Sequence, residues 1–309
     1  MTAAQPFAEP RRQRDAVLDY GIAPPAYRLP AETRLGRVVL QIADLELTLA
    51  YYQNVLGLRV LEREPQRAVL GPQGDDRAIV ELRERLGARP VPSRGHLGLY
   101  HFAVLLPNRA ALGRFLAHLR NLGERAGMSD HLVSEALYLT DPDGLGIEVY
   151  ADRPRSSWRA RDGQLVMATE PLDVADLLTA ANGEPWTGAP AGTTLGHVHL
   201  YVGDVARAAD FYHRGLGLDQ VVWSYPGALF LSAGGYHHHL GVNTWARGAA
   251  PAGEDDARLV EWEVLLPSAG DAAAAIDSLA GGSVTVERTP DGGLARDPWG
   301  TAVRVRVAA

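Results

Sequence analysis

Displaced by 160 positions, one segment of this chain lies over another. Gly36, Val38, Leu40, Asp44, Tyr52, Leu56, Gly57 and Leu58 then fall on Gly196, Val198, Leu200, Asp204, Tyr212, Leu216, Gly217 and Leu218. A repeat constrains the fold more than composition does, because one pattern must serve two copies of a supersecondary unit. The unit itself is readable. "RVVLQIA" and "HVHLYVG" are apolar, β-branched strands. Asp44 and Asp204 stand where an N-cap carboxylate accepts the first helical N–H groups. Leu45, Leu49, Tyr52 and Leu56 follow helical spacing, as do Val205, Ala208, Tyr212 and Leu216, and Gly57 and Gly217 supply helix C-caps.

A second unit follows each copy. "YHFAVLLP" leads into a helix near Ala110–Leu122 and then strands at "ALYLTD" and "GIEVYAD". Its counterpart runs from "VEWEVLLP" through a helix near Asp271–Leu279 to "GGLARDP" and "TAVRVRV". "DPDGLGIEVYA" and "DPWGTAVRVRV" each place an Asp-Pro-x-Gly turn before a final strand. The expected fold class is α+β, with four βαβββ modules forming two cup-like sheets. The expected divisions are an N-terminal arm (1–34), a first domain of modules 1 and 2 (35–152), a linker (153–194) with a short helix at "DVADLL", and a second domain of modules 3 and 4 (195–309).

Composition bounds the partners. Among 309 residues, 46% are hydrophobic and 22% charged, as in a soluble globular protein. A net charge of −7 and scattered arginines argue against nucleic acid as a partner. The absence of cysteine excludes disulfides, thiolate catalysis and sulfur-ligated metal, and fits the cytoplasm. Apolar runs such as "FAVLLP" fall far short of the about 20 residues that span a bilayer, so no membrane partner is expected. "MTAAQPFAEPRRQRD" has arginines without an apolar stretch behind them, unlike a secretory signal.

The stretches "GHVHLYVGDVARAADFYHRGLGL", "YHFAVLLPN" and "YLTDPDGLGIEVYADRP" resemble the vicinal oxygen chelate superfamily, which includes glyoxalase I, bleomycin-resistance proteins and extradiol ring-cleaving dioxygenases. The resemblance covers the chain from residue 35 onward. It implies paired modules forming an open cup around a metal, with His101, Glu148 and His197 at the ligand positions. The residue types agree: two imidazoles and a carboxylate make the facial triad suited to Fe(II) and oxygen chemistry, and Mn(II) would be held by the same set. All three lie on expected strands, which hold geometry better than loops do.

The remaining ligand-type positions read Arg37, Glu81, Glu261 and Arg304, two cations and two anions. Buried charge survives when paired. Modules 1 and 4 are therefore expected to form a cup filled by Arg–Glu pairs, leaving modules 2 and 3 to form the working one across the linker.

A lone strand histidine is ordinarily structural, but His101 and His197 occupy equivalent slots of a repeat, with Glu148 completing the set. His199 shares the face of His197 by strand alternation and ranks behind it. His96, His118 and His213 are assigned no role. "YHHHLGV" is expected on the last strand of module 3, where the resemblance to extradiol dioxygenases implies an acid–base histidine, either His238 or His239. The same resemblance makes Tyr138, ten residues before Glu148, and His131 substrate-contacting groups.

The resulting expectation is an Fe(II)-dependent extradiol dioxygenase that acts on a small catechol-type aromatic diol and O2, with a homo-oligomer left open. Two alternatives stand beside it. A glyoxalase-I-like isomerase would want a fourth protein ligand, typically a second carboxylate. A metal-free binding protein would need only an aromatic groove, for which Trp223, Tyr225 and Trp245 are candidates.

Overall fold

Strand alternation at the start of each module determines which face becomes core and which becomes cup. In a computed structural model, which describes residues 19–282 and 284–308, four strands open the four modules. They are β1 (Arg34–Ile42), β5 (Gly98–Leu105), β11 (Thr194–Tyr201) and β15 (Arg258–Leu266). Val38, Leu40 and Ile42 of β1 and Val198 and Leu200 of β11 are fully buried in one hydrophobic cluster under the helices. The intervening Arg37 and His197 point the other way. Residues 1–18 of the expected arm lie outside the described residues. Its remainder runs along module 3, where Arg28 grips Asp219 in a bidentate pair at 2.8 and 2.7 Å.

Each opening strand leads to a helix and three further strands. Module 1 continues as α1 (Leu45–Asn54), β2 (Arg59–Glu64), β3 (Arg67–Gly71) and β4 (Val80–Glu84). Module 2 has α2 (Arg109–Leu122), β6 (Gly127–Asp130), β7 (Ser134–Thr140) and β8 (Gly146–Asp152). The linker carries a two-stranded hairpin, β9 (Ala160–Arg161) and β10 (Gln164–Leu165), which the sequence reading did not anticipate, and the expected helix α3 (Val174–Ala180). Module 3 has α4 (Val205–Ala209), β12 (Asp219–Val222), β13 (Ala228–Ser232) and β14 (Leu240–Asn243). Module 4 has α5 (Ala269–Gly281), β16 (Val286–Thr289), β17 (Gly292–Arg296) and β18 (Ala302–Val307).

Helix starts follow the capping chemistry. The Asp44 carboxylate accepts from the Leu47 N–H at 2.9 Å, and Asp204 from Arg207 at 2.8 Å. Gly57 and Gly217 both adopt the left-handed conformation (φ 70° and 96°) that lets Leu58 and Leu218 bond back to the Tyr52 and Tyr212 carbonyls. One helix departs from expectation: α4 gives way after Ala209 to a wider turn over Asp210–Gly215. There His213 Nδ1 meets the Leu218 carbonyl at 2.7 Å, and Phe211 and Tyr212 are buried side by side.

Two curled eight-stranded sheets result, ordered β16-β17-β18-β15-β1-β4-β3-β2 and β12-β13-β14-β11-β5-β8-β7-β6. Modules 1 and 4 share the first, and modules 2 and 3 share the second. Helix-to-turn bonds run the other way. Tyr52 of module 1 donates to Asp141 of module 2 at 3.2 Å, and Tyr212 of module 3 donates to Asp297 of module 4 at 2.9 Å. Sheet pairing and these buried contacts therefore tie every module to two others. Among the described residues, no helix is long and apolar enough to cross a membrane.

The sheet of modules 1 and 4 is filled with paired charge. Glu81, 1% exposed, accepts from Arg67 at 2.9 Å and Arg83 at 2.8 Å and pairs with Arg37 at 3.0 Å. Arg304 grips Glu261 with two bonds of 2.8 Å, and Glu263 links Arg37 to Arg306. Burial alone would raise the Glu81 pKa, but these guanidinium groups outweigh it and hold the carboxylate below its usual range. Replacing Glu81 with alanine takes from Arg83 its one carboxylate among the described residues, while Arg37 keeps Glu263 and Arg67 keeps Glu62 and Glu64. An expected loss of about 1–2 kcal/mol, because the guanidinium groups left behind are partly exposed, would appear as a lower urea midpoint.

Asp141 supplies a pH test of the inter-module contact. Burial pushes its pKa up to about 7, partly countered by N–H bonds from Leu145 and Asp143. A raised folded-state value means that its contribution to stability is present in acid and is lost as pH rises through about 7. Asp141→Asn keeps an oxygen for those N–H groups. The variant's stability relative to the parent should climb between about pH 4 and pH 7 in parallel urea titrations.

Candidate metal centre and substrate cavity

The join between modules 2 and 3 builds the site. Strands β5 and β11 pair antiparallel, with His199 opposite His101 and His197 opposite Ala103. Strand β8 runs parallel to β5 and places Glu148 beside Ala103. Three donor atoms converge. Glu148 Oε2 lies 3.0 Å from His101 Nε2 and 3.2 Å from His197 Nε2, and the two nitrogens are 3.4 Å apart. All three residues are at most 4% exposed.

This set fits a divalent metal. Bonds of about 2.1 Å at right angles separate neighbouring donor atoms by about 3 Å, which is the spacing seen. The two Nε2 atoms face each other, and the Nδ1 atoms of both rings are buried with no hydrogen-bond partner among the described residues. Burial pushes the His197 imidazole down to about 4, so it is neutral at neutral pH. Burial would raise Glu148, but the His197 and His101 imidazoles prevail and hold it well below the usual carboxylate range. A neutral His197 imidazole and an ionised Glu148 carboxylate are the protonation states that ligation requires of these two groups.

Local sequence explains the placement. A side chain at Gly196 would collide with the Tyr150 hydroxyl, 1.8 Å from where its Cβ would sit, so the residue before His197 must be glycine. Gly241 is likewise covered by the His199 ring, with three ring atoms within 2.9 Å of a built Cβ. Register makes Gly241 the counterpart of Glu148: His199 pairs with Gly241 as Ala103 pairs with Glu148. The module 3 equivalent of the carboxylate is thus a glycine.

Above the triad lies a cavity of about 430 Å³, within the range of about 300–1,000 Å³ for small-molecule sites. Its aromatic walls include Tyr100, Tyr225, Phe230 and Trp245. Tyr225 and Trp245 were anticipated, whereas Tyr100 and Phe230 carried no sequence signal beyond their type. Trp223 does not line the cavity. Its backbone N–H bonds Gln164 of the linker hairpin, and its ring packs at the edge of the main core.

His131 and Tyr138 both reach the cavity and bond each other at 2.6 Å. His131 Nδ1 lies 2.7 Å from the Ala168 carbonyl, which only accepts, so Nδ1 carries the hydrogen and Nε2 accepts from the Tyr138 hydroxyl. Burial, reinforced by the nearby Glu148 charge, keeps the Tyr138 phenol protonated. The carbonyl comes from the linker, where Asp130 and Glu170 exchange backbone bonds of 2.9 Å at the sheet edge. The same segment brings Met167 and Thr169 over the cavity, with Thr169 3.0 Å from the Tyr225 hydroxyl.

The three consecutive histidines precede β14 and do not lie on it, a correction to the sequence reading. Gly234 and Gly235 take left-handed conformations (φ 61° and 64°) that turn the chain first. His238 enters the cavity, its ring 4.1 Å from that of His197. His239 does not: its Nδ1 accepts from the Ala233 N–H at 3.2 Å and faces the Ser232 hydroxyl. His199 lines the cavity, with its Nε2 held by the Asn243 amide at 2.9 Å. His96, His118 and His213 lie elsewhere, near Asp256, the Asn54 carbonyl and the Leu218 carbonyl.

A duplicated βαβββ scaffold with a two-His, one-Glu cluster inside one of its cups defines a class. The chain belongs to the glyoxalase/bleomycin resistance protein/dioxygenase superfamily, whose model matches residues 34–149 and 194–305. It is 44% identical over 271 residues to the catechol-2,3-dioxygenase of Bacillus subtilis (strain 168), covering 86% of this chain and 94% of that one. A shorter match, 29% over 120 residues, covers 38% of this chain and 63% of the biphenyl-2,3-diol 1,2-dioxygenase 3 of Rhodococcus globerulus. The fold is shared with glyoxalase I of Zea mays at a TM-score of 0.53 and 18% identity, covering 89% of this chain and 92% of the other.

His101→Ala removes one of three donors. The protein purified after Fe(II) loading should then hold less than a tenth of the parent's metal by elemental analysis, with an unchanged circular dichroism spectrum.

Proposed function

We propose that this protein is an Fe(II)-dependent extradiol dioxygenase that cleaves a catechol-type aromatic diol beside its two hydroxyls. The observation that carries the reading is the convergence of His101, His197 and Glu148 at the floor of an aromatic-walled cavity that also holds His238. The similarity to a catechol-2,3-dioxygenase over most of both chains supports it.

Iron bound at the triad would supply the Lewis acidity and one-electron chemistry that dioxygen activation needs, and Mn(II) suits the same donors. The chain's own groups account for the rest. The faces of Tyr100, Phe230 and Trp245 hold a flat ring edge-on to the triad, which converts an encounter into an orientation. His238 takes a proton from a diol hydroxyl and returns one as the ring opens. The Tyr138 hydroxyl gives its one hydrogen to His131, so its oxygen is left as an acceptor that orients a diol hydroxyl over the triad. The linker residues Met167 and Thr169 keep water from the reacting atoms. The expected product is a ring-opened semialdehyde.

The register weighs against a glyoxalase-type isomerase. The place for a second carboxylate is Gly241, and Glu148 is the only acid lining the cavity among the described residues. Oxygen uptake decides the matter. After anaerobic loading with Fe(II), the protein should consume one O2 per catechol and yield a yellow product. His238→Ala should lower kcat by about 10²-fold or more while metal content stays at the parent level. Loaded protein that binds catechols without consuming oxygen would refute the assignment.

A further inference from the structure

Successive side chains of a strand point to opposite faces, so neighbouring histidines on a strand cannot bond each other. The turn at Gly234 and Gly235 removes that restriction. Gly234 is confined to glycine twice over, by its positive φ and by the Ala31 carbonyl, 2.2 Å from where a Cβ would sit. Beyond the turn, His237 Nδ1 and His238 Nδ1 are 2.7 Å apart. His237 Nε2 is 2.9 Å from Asp152 Oδ1, and the Tyr236 hydroxyl donates to the same oxygen at 3.1 Å. The His237 side chain is fully buried, while that of Asp152 is 31% exposed.

Donor and acceptor rules fix where the hydrogens lie. A carboxylate only accepts, so His237 Nε2 carries a hydrogen. In the neutral form of His237 the lone pair is at Nδ1, and the hydrogen in the 2.7 Å contact then belongs to His238 Nδ1. His238 is left with an unprotonated Nε2, and it lines the substrate cavity. Nothing else among the described residues bonds either nitrogen of His238.

We propose that His237 and Asp152 form a proton relay behind His238, fixing it as a base and storing the proton it takes. This rests on the role given to His238 above. As a diol hydroxyl loses its proton, the O–H bond breaks and an N–H bond forms at His238 Nε2. The His238 Nδ1 hydrogen passes to His237 Nδ1, and the resulting His237 cation sits against the Asp152 carboxylate. His238 now carries its hydrogen on Nε2, ready to deliver it to an oxygen of the opening ring. Its Nδ1 then recovers the hydrogen held by His237, and no proton is gained or lost over the cycle. Asp152, on the same face of β8 as Glu148 by strand alternation, is the member of the relay that meets solvent, while His237 is fully buried.

Nitrogen-15 NMR of full-length protein labelled in its histidines reads the first half directly. His238 should carry its hydrogen on Nδ1 and His237 on Nε2. A His238 ring protonated on Nε2 in the resting protein would overturn the relay whatever reaction the enzyme performs. Kinetics of the Fe(II)-loaded enzyme read the second half. His237→Phe, which keeps the packing against Trp158 and Tyr150, and Asp152→Ala should each lower kcat tenfold or more, with KM for catechol changed less than threefold. The double variant should be no worse than the slower single one, because the two residues act as a unit. Multiplicative losses, or losses confined to KM, would mean that the pair only supports the fold. A parent enzyme without oxygen uptake would instead defeat the functional reading and leave the tautomer result standing.

Discussion

The antiparallel pairing of β5 with β11 is the contact on which the rest depends. It joins halves of the chain separated by the whole linker, and it sets the two opening strands of modules 2 and 3 side by side with His101 and His197 on one face. Parallel addition of β8 then brings Glu148 within 3.2 Å of both. No loop supplies a ligand atom. The positions follow from backbone hydrogen bonds whose register a one-residue slip would invert, turning every imidazole into the core.

The same geometry was used twice with opposite chemistry. Arg37 stands where His197 does, Glu261 where His101 does, Arg304 where Glu148 does, and Glu81 where Gly241 does. Four ionised groups in such a space are tolerable only as a bonded network, and the contacts among Arg37, Arg67, Arg83 and Glu81 and between Arg304 and Glu261 provide one. In the first cup the ligand positions are therefore taken up by paired side chains. In the second, small residues keep the floor open: glycine at 196 admits the Tyr150 hydroxyl, and glycine at 241 admits the His199 ring. Division of labour between the sheets comes down to a handful of inward positions on a common frame.

Much of this was legible in the sequence because repeats expose it. The offset that aligns Gly36 with Gly196 also aligns Arg37 with His197, and that contrast located the charged cup and the histidine-lined one. What stayed hidden has identifiable causes. His238 and His239 are adjacent and chemically identical, and only the turn at Gly234 and Gly235 sends one into the cavity and the other onto Ser232 and the Ala233 N–H. The Ala168 carbonyl that fixes His131 is a backbone group, which leaves no mark in residue type. Asp152 lies four residues beyond Glu148 on the same strand, yet its partner is 85 residues away, a proximity that spacing does not encode. Residue spacing read as one regular helix, whereas α4 ends at Ala209 and a wider turn carries the buried Phe211 and Tyr212.

Anomalous diffraction at the iron edge, from crystals of protein loaded with Fe(II), tests the central claim most directly. One strong peak is expected at about 2.0–2.3 Å from His101 Nε2, His197 Nε2 and Glu148 Oε2. A peak beside Arg37 and Arg304, or none at the triad under saturating metal, would contradict the account.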